Sequence, residues 1–197
     1  MPREIQVNQM ILIGGSGQNA GKTTLAAALI RAWKDRFPLE VLKVTAIHHP
    51  ETGCKRGGTG CGACTSLGGQ AFALEEERNP DSPKDTSRLL QAGAHQVFWL
   101  KATYPALEAG FAAFLEKIPR NALIICESNS LRRAVRPGCF VLLLSDGEMK
   151  PTAKEVYPLA DLVVPWNPDS PNAEALVSRF AIQPNPRQGP PQISLIR

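Results

Sequence analysis

The stretch Gly15-Ser-Gly-Gln-Asn-Ala-Gly21-Lys22-Thr23-Thr24 constrains this chain more than any other, because it lies between an apolar run, Gln9–Ile13, and a segment of helical composition, Lys22–Trp33. A glycine-rich bend joining a strand to a helix lets backbone N–H groups turn inward with no Cβ in the way. The helix start adds its own unpaired N–H groups and the positive end of its dipole. Those are the parts of a phosphate loop. They predict a cradle made of Gly15, Ser16, Gly17, Gln18, Asn19, Ala20, Gly21 and Thr24, with Lys22 reaching the β- and γ-phosphates and the Thr23 hydroxyl holding Mg²⁺. The spacing departs from the usual form. With Gly21 and Lys22 aligned, the first glycine position falls on Ser16, and Gly15 comes one residue early. The bland alternative is a strand–helix turn without a ligand, and the flanking strand and helix argue against it.

The rest of the chain alternates short apolar runs with helix-length segments. Val41–Ile47, Val97–Lys101, Ala122–Cys126, Cys139–Leu144 and Leu159–Val164 read as strands, while Asp85–Gln91, Ala106–Lys117 and Ala173–Phe180 read as helices. Continuous apolar strands belong to a parallel sheet covered on both faces. The pattern therefore predicts a three-layer, doubly wound, mostly parallel α/β sheet of the P-loop NTPase fold. One domain is expected over residues 1–182, with a Cys/Gly-rich insertion at 50–69 and a Pro-rich tail at 183–197 that lies across the body or stays mobile.

Composition narrows the function classes. The 197 residues carry 22 basic and 18 acidic side chains, no basic run exceeds two, and 43% of the chain is hydrophobic. That balance suits a globular protein with a real core and gives no call for a nucleic-acid surface. No run approaches the roughly 20 apolar residues of a membrane span, and the N-terminus lacks a cleavable signal pattern, so the expected compartment is the cytoplasm, with no membrane partner.

A phosphate loop needs an acidic partner on a neighbouring strand. Leu123-Ile-Ile-Cys-Glu127 supplies one, with Glu127 at the carboxyl end of an apolar strand, where ligands bind in open α/β sheets. Lys22 and Glu127 are thus the catalytic candidates, and Thr23 with Glu127 the Mg²⁺ candidates. Asp85 and Asp146 are other carboxylates able to serve, and a plain strand-end glutamate is the bland alternative.

Several segments resemble the MobB family, GTP-binding adapters of molybdopterin–guanine dinucleotide biosynthesis within the SIMIBI group of P-loop NTPases. The resemblance runs through the loop, Lys43-Val-Thr-Ala-Ile-His48-His49, Pro83-Lys-Asp85-Thr-Ser-Arg88-Leu-Leu-Gln-Ala-Gly93-Ala94, and Ile125-Cys-Glu127-Ser-Asn, where Ser128 replaces the family's glycine. It covers roughly the first 130 residues, with a gap in the middle. It implies nucleotide binding with slow hydrolysis, a homodimer, and service to a cofactor-assembly enzyme in a metal-cofactor pathway. Another SIMIBI branch carries an extra lysine near the loop start, where this chain has Gly17. The longer loop is similar to that of dethiobiotin synthetase, which keeps a small-molecule kinase or ATP-dependent ligase open as an alternative. A non-hydrolysing adapter or metallochaperone is the other.

The insertion departs from that family. Cys54, Cys61 and Cys64 stand at C-x₆-C-x₂-C in a glycine-rich stretch. With no sign of export, that crowding favours a metal over disulfides. Zinc would need a fourth ligand from His48, His49 or Cys126, and an iron–sulfur cluster would have its fourth ligand missing or supplied across a dimer. Unligated small residues in a loop are the bland alternative. Cys139 and the three tryptophans read as packing residues, and His95 as structural.

For the base, Trp166-Asn167-Pro-Asp169 follows a late strand but is one residue short of Asn-Lys-x-Asp and lacks its lysine. Asn167 and Asp169 are therefore candidates for a guanine edge, with an Asn-Pro-Asp turn as the alternative, and ATP and GTP both stay open. Arg132, Arg133 and Arg136 are candidate phosphate contacts or solvated residues.

Overall fold

The computed structural model describes residues 4–47, 67–167, 172–185 and 189–196. In chain order the elements are β1 (Ile5–Gly15), α1 (Lys22–Trp33), β2 (Leu39–Ile47), β3 (Phe72–Glu76), α2 (Asp85–Gln91), β4 (Gln96–Thr103) and α3 (Leu107–Leu115). There follow β5 (Leu123–Glu127), β6 (Val135–Leu144), α4 (Pro151–Val156), β7 (Leu162–Pro165), α5 (Ala173–Val177), β8 (Phe180–Gln183) and β9 (Gln192–Leu195).

Seven strands form one sheet in the order β3-β4-β2-β5-β1-β6-β7, parallel except for β3. Alternate residues of each central strand enter different cores. Ile11, Ile13, Val41 and Ile125 pack with Leu25, Leu29 and Ile30 of α1 and Leu89 of α2 on one face. Met10, Leu12, Leu42 and Ile124 pack with Phe111 and Phe114 of α3 on the other. Met10 through Ile13 are wholly buried, which is why β1 reads as an unbroken apolar run. The expected α/β sheet with helices on both faces is present.

Several boundaries differ from expectation. The antiparallel edge strand β3 lies in a stretch the periodicity leaves unassigned. β6 begins at Val135, four residues before the expected Cys139, and runs through Pro137 and Gly138. The β1–β6 register shifts between Val7 and Ile11, and a Cβ on Gly138 would overlap the Asn8 carbonyl oxygen there, so the irregular crossing requires glycine. The expected strand Leu159–Val164 is corrected to Leu162–Pro165, because Tyr157–Leu159, centred on Pro158, forms a 3₁₀ turn. Asp161 then anchors the edge, its carboxylate accepting the Phe140 N–H at 2.7 Å. The last helix stops at Val177 rather than Phe180, which instead opens β8.

The expected boundary at residue 183 is followed by a segment that lies across the body, one of the two arrangements expected of it. The boundary itself falls in β8, which pairs antiparallel with β9. Ile182, Ile193 and Leu195 pack against the α1-side core, and the Phe180 ring meets Trp33 edge-on at 6.1 Å between centroids. Burial of that apolar stripe holds the C-terminal segment on the domain.

Candidate functional site

β1 delivers Gly14 and Gly15 to the carboxyl end of the sheet, and the chain turns through residues 16–21 into α1. Two residues have left-handed backbones in that turn, Asn19 with φ 56° and Gly21 with φ 80°. Gly21 is the N-cap of α1 and no side chain caps the helix, so its first-turn amides are not consumed by a capping group. A Cβ on Gly21 would overlap the indole of Trp166, which is 5% exposed and packs against the turn.

The base of the turn is stapled from both sides. The Asn129 carboxamide accepts the Gly15 N–H at 2.9 Å and donates to the Gly15 carbonyl at 2.9 Å. Ser16 donates its N–H to the Leu143 carbonyl at 2.8 Å and accepts the Lys150 N–H at 2.9 Å. Its hydroxyl accepts the Ser145 N–H at 2.9 Å. The hydrogen bonds of Gly15 and Ser16 thus run outward, to β6, to the segments that follow β5 and β6, and to the start of α4.

Three of the expected site residues meet under this bend. β5 lies directly beside β1, with Glu127 in register with Ile13. That adjacency brings the Thr23 hydroxyl to donate to Glu127 Oε2 at 3.2 Å. Lys22 folds back so that Nζ approaches the Gly17 carbonyl at 3.5 Å, a long contact that leaves the ammonium weakly held. Glu127 is 3% exposed, and its Oε1 is buried with no hydrogen-bond partner. Burial pushes the Glu127 carboxyl above its ordinary range, against the pull of Lys43, Lys22 and the Thr23 hydroxyl, with Asp85 adding to the rise. Burial likewise pulls Lys22 below the usual lysine range. Glu127 opposes that drop, Lys150 and Lys43 add to it, and Asp85 opposes it.

Asp85 does not join Thr23. It is the first residue of α2 and pairs with Lys43 Nζ from β2, with Arg88 at 3.6 Å on its other side. Burial works against its charge, but Lys43, Arg88 and Lys22 together hold the carboxyl below its ordinary range. Asp146 is exposed beside Ser145.

Of the three arginines, Arg133 and Arg136 are exposed, in line with the solvated alternative, and Arg132 is not. Arg132 is buried and turns to Glu4 at 3.1 Å and the Val135 carbonyl at 3.2 Å, toward the opposite end of β1. Arg133 pairs with Glu155 at 3.3 Å and lies over the Tyr104 ring. Arg136 is exposed and, with Glu4, Gln6 and Asp161, lines an open cleft of about 720 Å³ where β1 and β6 begin, away from the loop.

Asn167 is exposed just after β7, while its expected companion Asp169 lies outside the described residues, as do His48, His49, Cys54, Cys61 and Cys64. Among the described residues no three His, Cys, Asp or Glu side chains gather as a metal cluster. Cys126 is wholly buried in the α3-side core, where burial raises its thiol well above the usual range. Cys139 is also buried, its thiol pushed up to about 12, so its packing role stands. His95 Nδ1 lies 2.8 Å from the buried carboxylate of Glu40, in keeping with a structural role. Among the described residues, no helix is long and apolar enough to cross a membrane.

Sequence reading missed Asn129, Trp166 as a wall of the turn, and the Lys43–Asp85 pair. Only the position of Asn129, two residues past Glu127, carried any signal. No protein-family model, curated protein or solved structure matches the chain. The fold and site define a class no finer than an α/β protein with a mostly parallel seven-stranded sheet and a polar cluster at one sheet end.

Proposed function

We propose that the chain binds a nucleoside triphosphate with Mg²⁺ on Gly15–Thr24 and Glu127, and hydrolyses it slowly as a switch. One observation carries this reading: a hydroxyl, a carboxylate and a lysine converge beneath a stapled glycine-rich bend at a helix N-terminus, and one carboxylate oxygen is buried without a partner. An orphaned buried carboxylate oxygen costs stability unless something supplies it. Hard oxygen donors of this kind suit Mg²⁺, which keeps most of its shell as water and phosphate. Thr23 Oγ1 and Glu127 would hold the ion directly or through its water, and bound Mg²⁺ supplies charge neutralisation at the β- and γ-phosphates. Lys22, released from the Gly17 carbonyl, takes up phosphate oxygens, and the α1 amides receive the rest of the charge. Glu127 would also orient water for attack on the terminal phosphate.

The wider role, service to a metal-cofactor assembly enzyme by a homodimer, rests on the resemblance to MobB-type adapters. Zinc or an iron–sulfur cluster on Cys54, Cys61 and Cys64 rests on their spacing. Elemental analysis of protein purified without oxygen, beside the triple Cys→Ser variant, tests the cysteine part.

The central test is titration of fluorescent ATP, GTP and their diphosphates with Mg²⁺, followed by phosphate release. Binding of at least one pair, loss of about tenfold or more in affinity in Lys22→Ala, and turnover far below that of a metabolic kinase are expected. Wild-type protein that ignores all four nucleotides refutes the reading, as does a Lys22→Ala variant that binds as tightly as wild type.

A further inference from the structure

A second lysine stands at the same sheet end. Lys43 on β2 is in register with Glu127 on β5, and β5 separates β2 from β1. In parallel neighbours, register partners share a face, and this one carries Val41, Ile125 and α1. Lys43 therefore lies across Glu127 from the loop, and its charge bears on Glu127 more strongly than that of Lys22. Its ammonium is held by Asp85, a 42% exposed carboxylate on the first residue of α2.

A structural explanation for this pair is weak. Both partners keep contact with water, and ion pairs of that kind contribute little to stability. Position is more telling. On the nucleotide reading, the loop amides and Lys22 would surround the phosphates nearest α1, and Thr23 with Glu127 would mark the metal position. A terminal phosphate extending past that position toward β2 would meet Lys43, which stands there beside Glu127. We propose that Lys43 distinguishes triphosphate from diphosphate by exchanging Asp85 for the terminal phosphate. The inference rests on the nucleotide reading above and adds to it a second phosphate ligand and a competitor for that ligand. When the terminal phosphate is present, Lys43 leaves Asp85 and the tie between β2 and α2 opens. When it is absent, the tie re-forms. The two partners of one ion pair thus have opposite effects on triphosphate affinity.

The test measures affinity of the full-length chain for ADP, GDP and the imido analogues of ATP and GTP with Mg²⁺, in wild type, Lys43→Met, Lys43→Arg and Asp85→Asn. Lys43→Met should weaken imido-triphosphate binding by about tenfold, as expected for one charge-assisted hydrogen bond, and change diphosphate binding less than about twofold. Lys43→Arg should retain most of the preference. Asp85→Asn should tighten triphosphate binding by about threefold through loss of the competing charge. If Lys43→Met affects both nucleotides alike, or both partners shift triphosphate affinity in the same direction, the inference fails while the loop reading survives through diphosphate binding. If wild type binds no nucleotide, both fail. Circular dichroism of each variant confirms folding, and Lys43→Met is near-isosteric at a partly exposed site, so loss of fold does not mask the result.

Discussion

Replacing Gly21 by alanine tests the geometry of the loop without reference to any ligand. Two costs are separable. At φ 80° an L side chain is strained by roughly 1–2 kcal/mol. A Cβ there also overlaps the Trp166 ring, and relieving such overpacking costs about 1–3 kcal/mol more. Gly21→Ala should therefore lose about 3 kcal/mol, a fall in Tm of roughly 6–12 °C for a chain of this length. Trp166→Ala removes the ring and leaves room for the new methyl. In that background Gly21→Ala should cost only the backbone strain, about 1–2 kcal/mol, with a coupling of about 1–3 kcal/mol between the sites. Urea unfolding of the four proteins, compared through midpoints at constant slope, reads all three quantities. Equal costs of Gly21→Ala with and without Trp166 would falsify the packing of that ring against the turn. A cost near zero in both would also remove the left-handed N-cap.

Two further outcomes follow from the same residues. Burial lifts the folded-state pKa of Glu127 above its unfolded value, so its charge opposes folding at pH above both values and imposes nothing below both. Without metal or nucleotide, Glu127→Gln should then be more stable than wild type by about 1 kcal/mol near neutrality, with the gap closing as pH falls into the ordinary carboxylate range; urea melts with a chelator between about pH 4 and pH 8 check this, and a less stable Glu127→Gln reverses the argument. Asn129→Ala strips partners from both the N–H and the carbonyl of Gly15, and should cost about 1–3 kcal/mol and weaken nucleotide binding; a variant as stable as wild type means that water replaces the carboxamide.

The parts legible in the sequence share one property: their determinants are local. The strand–bend–helix around Lys22 lies within about ten consecutive residues, and Glu127 announces itself by ending an apolar run. The alternation of runs likewise gives the layered fold. What escaped depends on pairs remote in the chain. Asn129 meets Gly15 across 114 positions and Lys43 meets Asp85 across 42, and neither pair carries a periodicity that would announce it. β3 escaped because Phe72–Glu76 ends in two exposed glutamates and mixes with the unpatterned stretch before it. The prolines around residues 184–191 hid β9, although Ile193 and Leu195 alternate with polar neighbours as a one-sided strand should. Arg132 misled because its place after Glu127 suggested the loop end of the sheet. The connection from β5 to β6 is so short that Arg132 is already directed to Glu4.

The charge arrangement at this sheet end bears on which ligand the proposed site would take. Among the described residues, Lys22 shares its surroundings with the cations Lys43 and Lys150 and the carboxylates Glu127 and Asp85. Burial depresses the Lys22 ammonium and raises the Glu127 carboxyl. Each would be better stabilised by an added partner of opposite sign, and the two needs are met together only by an anion carrying a cation with it. A polyphosphate with a bound divalent ion would be such a partner: its phosphates would satisfy Lys22 and the α1 amides, and the metal would satisfy Glu127. Phosphate alone would crowd Glu127 with like charge, and metal alone would crowd Lys22. The arrangement therefore predicts that Mg²⁺ and nucleotide each strengthen binding of the other, by a reciprocal factor. Nucleotide titrations across Mg²⁺ concentrations should show affinity rising with the metal in wild type and losing most of that dependence in Glu127→Gln. Metal-independent binding in wild type would show that Glu127 faces the ligand without the ion, and the pairing argued from its orphaned oxygen would be wrong.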